Sequence, residues 1–458
     1  MSTVSNTIPG LVVAGVFGAP LVWAVPEYLQ SEEPVSADLE RQPSATAGIA
    51  RDASGPFDWE MVRPSRFLPE WRKAAIAETG NPFFDEMGFA LRPRFYYFHR
   101  DFDTAMNQES AALGGSLSVE TGWWKDSVRV GFTGYTSQKI YGPSDRDGLG
   151  LLAAGQKGYS ALGEAFVDLK FGETRLRAGR TRVDLPFIND HDIRMTPYTF
   201  EGIGLSSEVI PDLQLGLGHI TRIKPRTESS FESMSEKAGV VGVDRGVTAV
   251  SARYDLSEDA FVAVTEQYGW DMYNTVYAEA EHLFHLGEDW KFRLRAQFTD
   301  QRSVGDELLG SFVTQQAGAE FALEYGAWIG TVSFTTTGDG ASIQNPWGGQ
   351  PTYHSMMISD FDRPDEESWR LAMSYDFSDC GIKGLSANAS WVSGNTPDSG
   401  KNSAPDEEEF NVTIDYRPPI QVVDDFWLRL RWAQNDEKGG GAVDRTDIRV
   451  ILNYSYLF

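Results

Sequence analysis

The sequence predicts an all-β chain: a transmembrane antiparallel β-barrel of about 18 strands. Three observations carry this. Segments of about 10 residues alternate apolar and polar side chains, the period of a tilted membrane strand. Short turns alternate with long, acidic, Gly-rich connections such as Gly142 to Gly150 and Asn395 to Glu409. Aromatic residues cluster near strand ends, at Trp123-Trp124, Trp290 and Phe426-Trp427, the pattern of an interfacial girdle.

The alternation is regular along the chain. Leu117, Val119, Thr121 and Trp123 interleave with Ser116, Ser118, Glu120 and Gly122. A tight turn at Lys125-Asp126 leads to Val128, Val130 and Phe132, which interleave with Arg129, Gly131 and Thr133. Ala165, Val167, Leu169 and Phe171 precede a turn at Gly172-Glu173, after which Leu176 and Ala178 interleave with Arg175 and Arg177. Phe292, Leu294, Ala296 and Phe298 interleave with Arg293, Arg295 and Gln297. About 370 residues at about 20 per strand and loop give roughly 18 strands, wide enough for a water-filled lumen. Closure also removes the exposed edges of so long a sheet.

Composition agrees. Only 41% of the 458 residues are hydrophobic, too few for a helical membrane protein but compatible with strands that face lipid on one side. The formal charge of -26 argues against a nucleic-acid partner, because phosphate contacts need a basic surface. A single cysteine, Cys380, excludes an internal disulfide framework.

Three regions follow. Residues 1–24 are read as a signal peptide, with an apolar run from Ile8 ending at Val22-Trp23-Ala24, although the leading residues lack Lys or Arg. Residues 25–87 form an acidic, flexible extension rich in Pro, Ser and Ala, with a short amphipathic helix over Phe67 to Ala77. Residues 88–458 form the barrel. Its last strand places Val450, Leu452, Tyr454, Tyr456 and Phe458 on one face, the pattern that outer-membrane assembly machinery reads.

Five stretches, in order, resemble the OprD family of substrate-specific outer-membrane porins. They are Leu91 to Asp101; Leu176 to Gly179 with Asp184 to Pro186 and Arg194 to Gly202; Ile358 to Phe361 through Trp369 to Phe377; Gly381 to Leu385; and Leu428 to Arg431. The resemblance implies an 18-stranded barrel, monomeric or a loose homotrimer, whose inward-folded loops narrow the pore. It implies a ladder of basic residues that guides anionic solutes, often carboxylates, past acidic groups at the eyelet.

Carried over residue by residue, the pore-lining and substrate-guiding candidates are Arg94, Arg177, Arg429 and Arg431 on strands, and Asp190, Asp192 and Arg194 on the constriction loop. Arg429 and Arg431 share one face, and lipid exposure of both would cost several kcal/mol, so they face the lumen. Arg94 follows Pro93 near a strand start, which suggests the rim. Ser390 and Ser393 stand at basic positions of the family, and Glu407, Glu408 and Glu409 fall where an Arg is frequent. The ladder therefore reads as thinned, which leaves a general or cation-preferring porin as the alternative.

No nucleophile elbow, P-loop or dinucleotide fingerprint occurs. His282 and His285 have helical metal spacing inside strand-like sequence, so no metal is expected. Asp145 to Gly148 resembles a calcium loop without its trailing ligands. The expectation is a porin with no cofactor and no enzymatic role, whose partners are small polar or anionic solutes and outer-membrane lipids. A barrel enzyme and a soluble β-rich binding protein are the rival classes.

Overall fold

The computed structural model describes residues 79–103, 105–287, 289–418, 426–439 and 443–457. The signal-peptide assignment, the helix over Phe67 to Ala77 and Phe458 lie outside the described residues. Residues 79–87 form one helical turn, Pro82–Asp85, capped by the Asn81 side chain. Gly122 donates its N–H to Phe83 O (3.1 Å). A Cβ at position 122 would lie 2.1 Å from Pro82 O, so glycine permits this seat.

Eighteen strands follow: β1 (Gly88–Phe102), β2 (Gln108–Glu120), β3 (Val128–Tyr141), β4 (Tyr159–Phe171), β5 (Thr174–Thr181), β6 (Thr199–Ile210), β7 (Leu213–Lys224), β8 (Val247–Ser257) and β9 (Ala260–Gly269) complete the first half. The second half comprises β10 (Tyr273–Leu286), β11 (Trp290–Ser303), β12 (Val313–Tyr325), β13 (Trp328–Thr337), β14 (Glu367–Asp376), β15 (Leu385–Asn395), β16 (Asp406–Tyr416), β17 (Phe426–Lys438) and β18 (Arg445–Tyr454). Each strand pairs antiparallel with its chain neighbours, and β1 closes the barrel on β18 from Arg94↔Asn453 to Phe102↔Arg445. The turn after β2 uses left-handed Lys125 and Asp126 (φ 51° and 53°), whose twist matches the flanking strands.

Burial is inverted relative to a water-soluble sheet. Leu294 and Phe298 are each 45% exposed on the outer wall, whereas Gln297 between them is 6% exposed. Aromatic pairs mark the short-turn end, where Trp290 stacks on Tyr325 (4.3 Å) and Trp328 lies tilted against Tyr375 (4.2 Å). Trp427 does not join them. It is buried, donates Nε1–H to Asp415 Oδ1 (2.7 Å) and carries the Arg429 guanidinium on its ring (4.4 Å). The parity that sends Arg429 inward sends Trp427 inward with it.

Long loops gather at the opposite end, and several fold into the lumen. Val183, Leu185 and Ile188 of loop 182–198 pack with Met234 of loop 225–246 and Trp347 of loop 338–366 in one apolar cluster. Leu149, Leu151 and Leu152 of loop 142–158 pack with Met195 on Tyr96 and Phe98 of β1. The apolar cores of this molecule thus lie inside the barrel and hold its loops.

Candidate functional site

Loop 182–198 begins with a two-residue hairpin, Asp184–Leu185 against Ile188–Asn189. Phe187 and His191 take left-handed backbone (φ 61° and 41°), which turns the chain back on itself. Tyr198 N–H donates to Asp190 O (2.7 Å) and closes the loop. In loop 338–366, the Trp347 ring stacks on Tyr273 (5.2 Å, 3° between planes), and its N–H donates to Met234 O (2.8 Å). The two loops meet at Asn189 and Gly349. The Asn189 amide donates to Gly349 O, and Gly349 N–H donates back to Asn189 Oδ1, both at 2.8 Å.

The far side of loop 338–366 is anchored to β16. Glu409 accepts N–H groups from Met357 (2.8 Å), Ile358 (3.1 Å) and Ser359 (2.8 Å). Glu407 accepts the Ser359 hydroxyl and the Asn435 amide. Arg363 grips Glu366 (2.6 Å) and donates to Pro405 O (2.6 Å). Glu407 to Glu409 therefore belong to a strand and not to the connection expected from sequence. Glu407 and Glu409 are spent on holding the loop, and Glu408 pairs outside with Lys438. On the loop, Asp360 accepts from Ser355 and Asp362 from Gln350 (2.7 Å). Burial, with Asp360 alongside, pushes the Asp362 carboxyl up to about 8.

The sequence candidates fall into place around these loops. Arg94 lies mid-strand, not at the rim: Pro93 is accommodated within β1, which continues to Phe102. It holds Asp192 with two bonds (2.6 and 3.0 Å), Arg194 O (2.6 Å) and Asn453. Asp190 lies 3.4 Å from Arg182. Arg429 holds Asp415 bidentately (2.6 and 2.9 Å), and Arg431 donates to Thr413 Oγ1 (3.2 Å). Arg177 is bound to Asp168 (2.5 and 2.6 Å), which it shares with Arg129.

Arg194 differs from these. Its Nε and Nη1 donate to the carbonyls of Leu149 and Ile193 (2.9 Å each), and no carboxylate among the described residues lies within ion-pair distance. Three guanidiniums surround the Phe98 ring, those of Arg449 (4.5 Å), Arg194 (5.0 Å) and Arg100 (5.4 Å). The negative face of the ring offsets part of their repulsion. Burial, and then Arg449, push the Arg194 guanidinium's proton affinity down. Guanidinium keeps its proton even so, and the unrelieved charge favours an entering anion.

The sequence model described as outer membrane porin, OprD family, matches residues 81–458. The chain belongs to the OprD family. It is an outer-membrane porin. Porin D of Pseudomonas aeruginosa is 24% identical over 409 residues, covering 81% of this chain and 91% of that one. Porin-like protein GalP of Pseudomonas putida is 21% identical, covering 83% and 93%. Among solved structures, OccK9 (OpdG) of Pseudomonas aeruginosa is 26% identical at a TM-score of 0.76, covering 82% of this chain and all of that one. OpdK of the same organism, solved with vanillate, is 22% identical at a TM-score of 0.74 with the same coverage.

This OprD-family porin also carries lumen arginines that the sequence reading missed. Arg449 donates to Met357 O (2.8 Å) and to Asp447 (2.6 Å), and Arg100 holds Asp447 with two bonds (2.6 and 2.8 Å). Arg226 donates to the ring and carbonyl of His191. The signal for Arg449 was present: it occupies the strand face opposite Val450 and Leu452. Arg100 on β1 and Arg449 on β18 thus stand beside the candidate arginines, while Arg226 lies on the loop after β7.

Proposed function

We propose that the porin passes small organic anions, chiefly carboxylates, by diffusion down their gradient, without cofactor, catalysis or energy coupling. One observation carries the reading: half-buried Arg194, on the constriction loop, has no acidic partner among the described residues, while Arg449 stands beside it. A carboxylate fits the guanidinium fork, and a site inside a narrow lumen strengthens the attraction. The attraction must stay weak enough for release, and competing pairs such as Arg94–Asp192 and Arg429–Asp415 temper it. Arg94, Asp192, Arg429 and Arg431 are thus assigned to guiding and tuning. Asp190 and Arg177 are assigned to holding the frame through Arg182 and Asp168. The vanillate present with OpdK is itself a carboxylate.

The test is solute flux into proteoliposomes. Acetate and benzoate should enter faster than size-matched neutral or cationic solutes, and Arg194→Gln should remove most of the difference. Equal entry of all three classes would overturn the reading.

A further inference from the structure

Loop 225–246 lies at the long-loop end, which in such barrels faces the exterior. It leans on the constriction loop, where Thr196 Oγ1 donates to Arg226 O (2.6 Å). Arg226 follows the last residue of β7 by two positions. Arg194 instead reaches Phe98 and Arg449, which pair inside the barrel wall.

Two cations from this loop converge on one ring. Arg226 Cζ lies 4.9 Å, and Lys237 Nζ 5.6 Å, from the centroid of Tyr198. Arg226 also binds His191 at Nδ1 (3.2 Å) and O (3.3 Å), and the His191 ring packs edge-on to Tyr198. His191 thus acts as an acceptor, and burial with Arg226, Arg194 and Lys237 nearby holds its pKa well below the usual histidine range. It adds no charge and fixes the Arg226 side chain. Glu228, Glu232 and Glu236 share the loop, yet no carboxylate among the described residues reaches ion-pair distance of Arg226 or Lys237. Lumen arginines of the wall differ in this respect: Arg94, Arg100, Arg177 and Arg429 each hold an acid.

We propose that Arg226 and Lys237, set against Tyr198 and His191, form a capture site on the outer side of the constriction. There a small carboxylate is held before it passes to Arg194. The proposal rests on the organic-anion reading above. Among the described residues Arg226 bonds through Nη1 alone, which leaves Nε and Nη2 for a carboxylate, and Lys237 supplies a second point charge. Charge placed ahead of a narrow passage raises the rate of encounter more than the strength of binding.

The experiment is single-channel block by benzoate, added in turn from the outer and inner side of channels inserted in one orientation. Arg226→Gln and Lys237→Gln should each lower the outer-side association rate by about 3- to 10-fold. The inner-side association rate should stay as in the unsubstituted chain. Arg226→Lys should keep most of the outer-side rate and so guards against a folding artefact. Equal losses from both sides, no loss, or absence of benzoate block in the unsubstituted chain overturn the capture site. The reversal potential of the same channels separates the two claims. Cation preference in the unsubstituted chain would overturn the organic-anion reading, whereas anion preference with side-symmetric block would overturn the capture site alone.

Discussion

Asn189 and Gly349 hold each other by two reciprocal hydrogen bonds of 2.8 Å, which fasten the two inward loops together beside the cluster of Trp347 with Val183, Leu185 and Ile188. Gly348 beside them has no room for a side chain: a Cβ there would lie 2.6 Å from Asn189 N. Asn189→Ala should cost about 1–3 kcal/mol of local loop stability, because it leaves buried backbone groups unpaired. Open-channel current noise should rise while the barrel stays folded. Unchanged noise would show that the clasp does not limit loop motion.

Asp192 competes with the solute for Arg94. Asp192→Asn should free that guanidinium and shift the reversal potential further toward anions. A shift toward cations would place Arg94 outside the conduction path.

Arg431 has a hydroxyl partner in Thr413 and stands beside Arg429 on the same face of β17. Arg431→Ala should lower anion preference without unfolding the barrel, read as reversal potential together with retained heat-resistant folding in detergent. Unchanged selectivity would remove Arg431 from the guiding row.

Glu409 serves three backbone N–H groups at once, and each such bond is worth about 0.5–1.5 kcal/mol. Glu409→Ala should loosen residues 355–361, seen as faster amide exchange there and slower change in the strands. Equal protection in both proteins would mean that Trp347 packing alone holds the loop.

Asp362 has a pH signature with a defined sign. Its carboxyl is raised from 3.8 to about 8 by burial and by Asp360. The folded loop therefore keeps a proton that the unfolded chain releases, so its contribution to stability is full below about pH 4 and is lost as pH rises to about 8. Amide protection in loop 338–366, relative to the intrinsic exchange rate at each pH, should fall across that window, and Asp362→Asn should flatten the fall. A loop that tightens as pH rises would contradict the buried-acid assignment.

The barrel was legible because strand period and lipid exposure write themselves into every second residue. Leu294, Gln297 and Phe298 obey that rule without reference to distant chain. Arg429 and Arg431 were legible for the same reason. The partners were not. Arg94 meets Asp192 across 98 residues, and Glu409 meets Met357 across 52, so no local pattern announces either contact. Glu407 to Glu409 consequently read as an acidic connection opposing anions, although Glu409 accepts from loop N–H groups, Glu407 accepts from the Ser359 hydroxyl and the Asn435 amide, and Glu408 pairs with Lys438. Trp427 reads as girdle from its nearness to a strand end, whereas its parity with Arg429 points inward.

The most direct measurement is the reversal potential of the refolded channel across a potassium chloride gradient, compared with Arg194→Gln. Anion preference that falls toward neutrality in the variant is the result expected here. Cation preference in the unsubstituted chain would contradict the account and transfer control of the pore to Asp190 and Asp192 of loop 182–198.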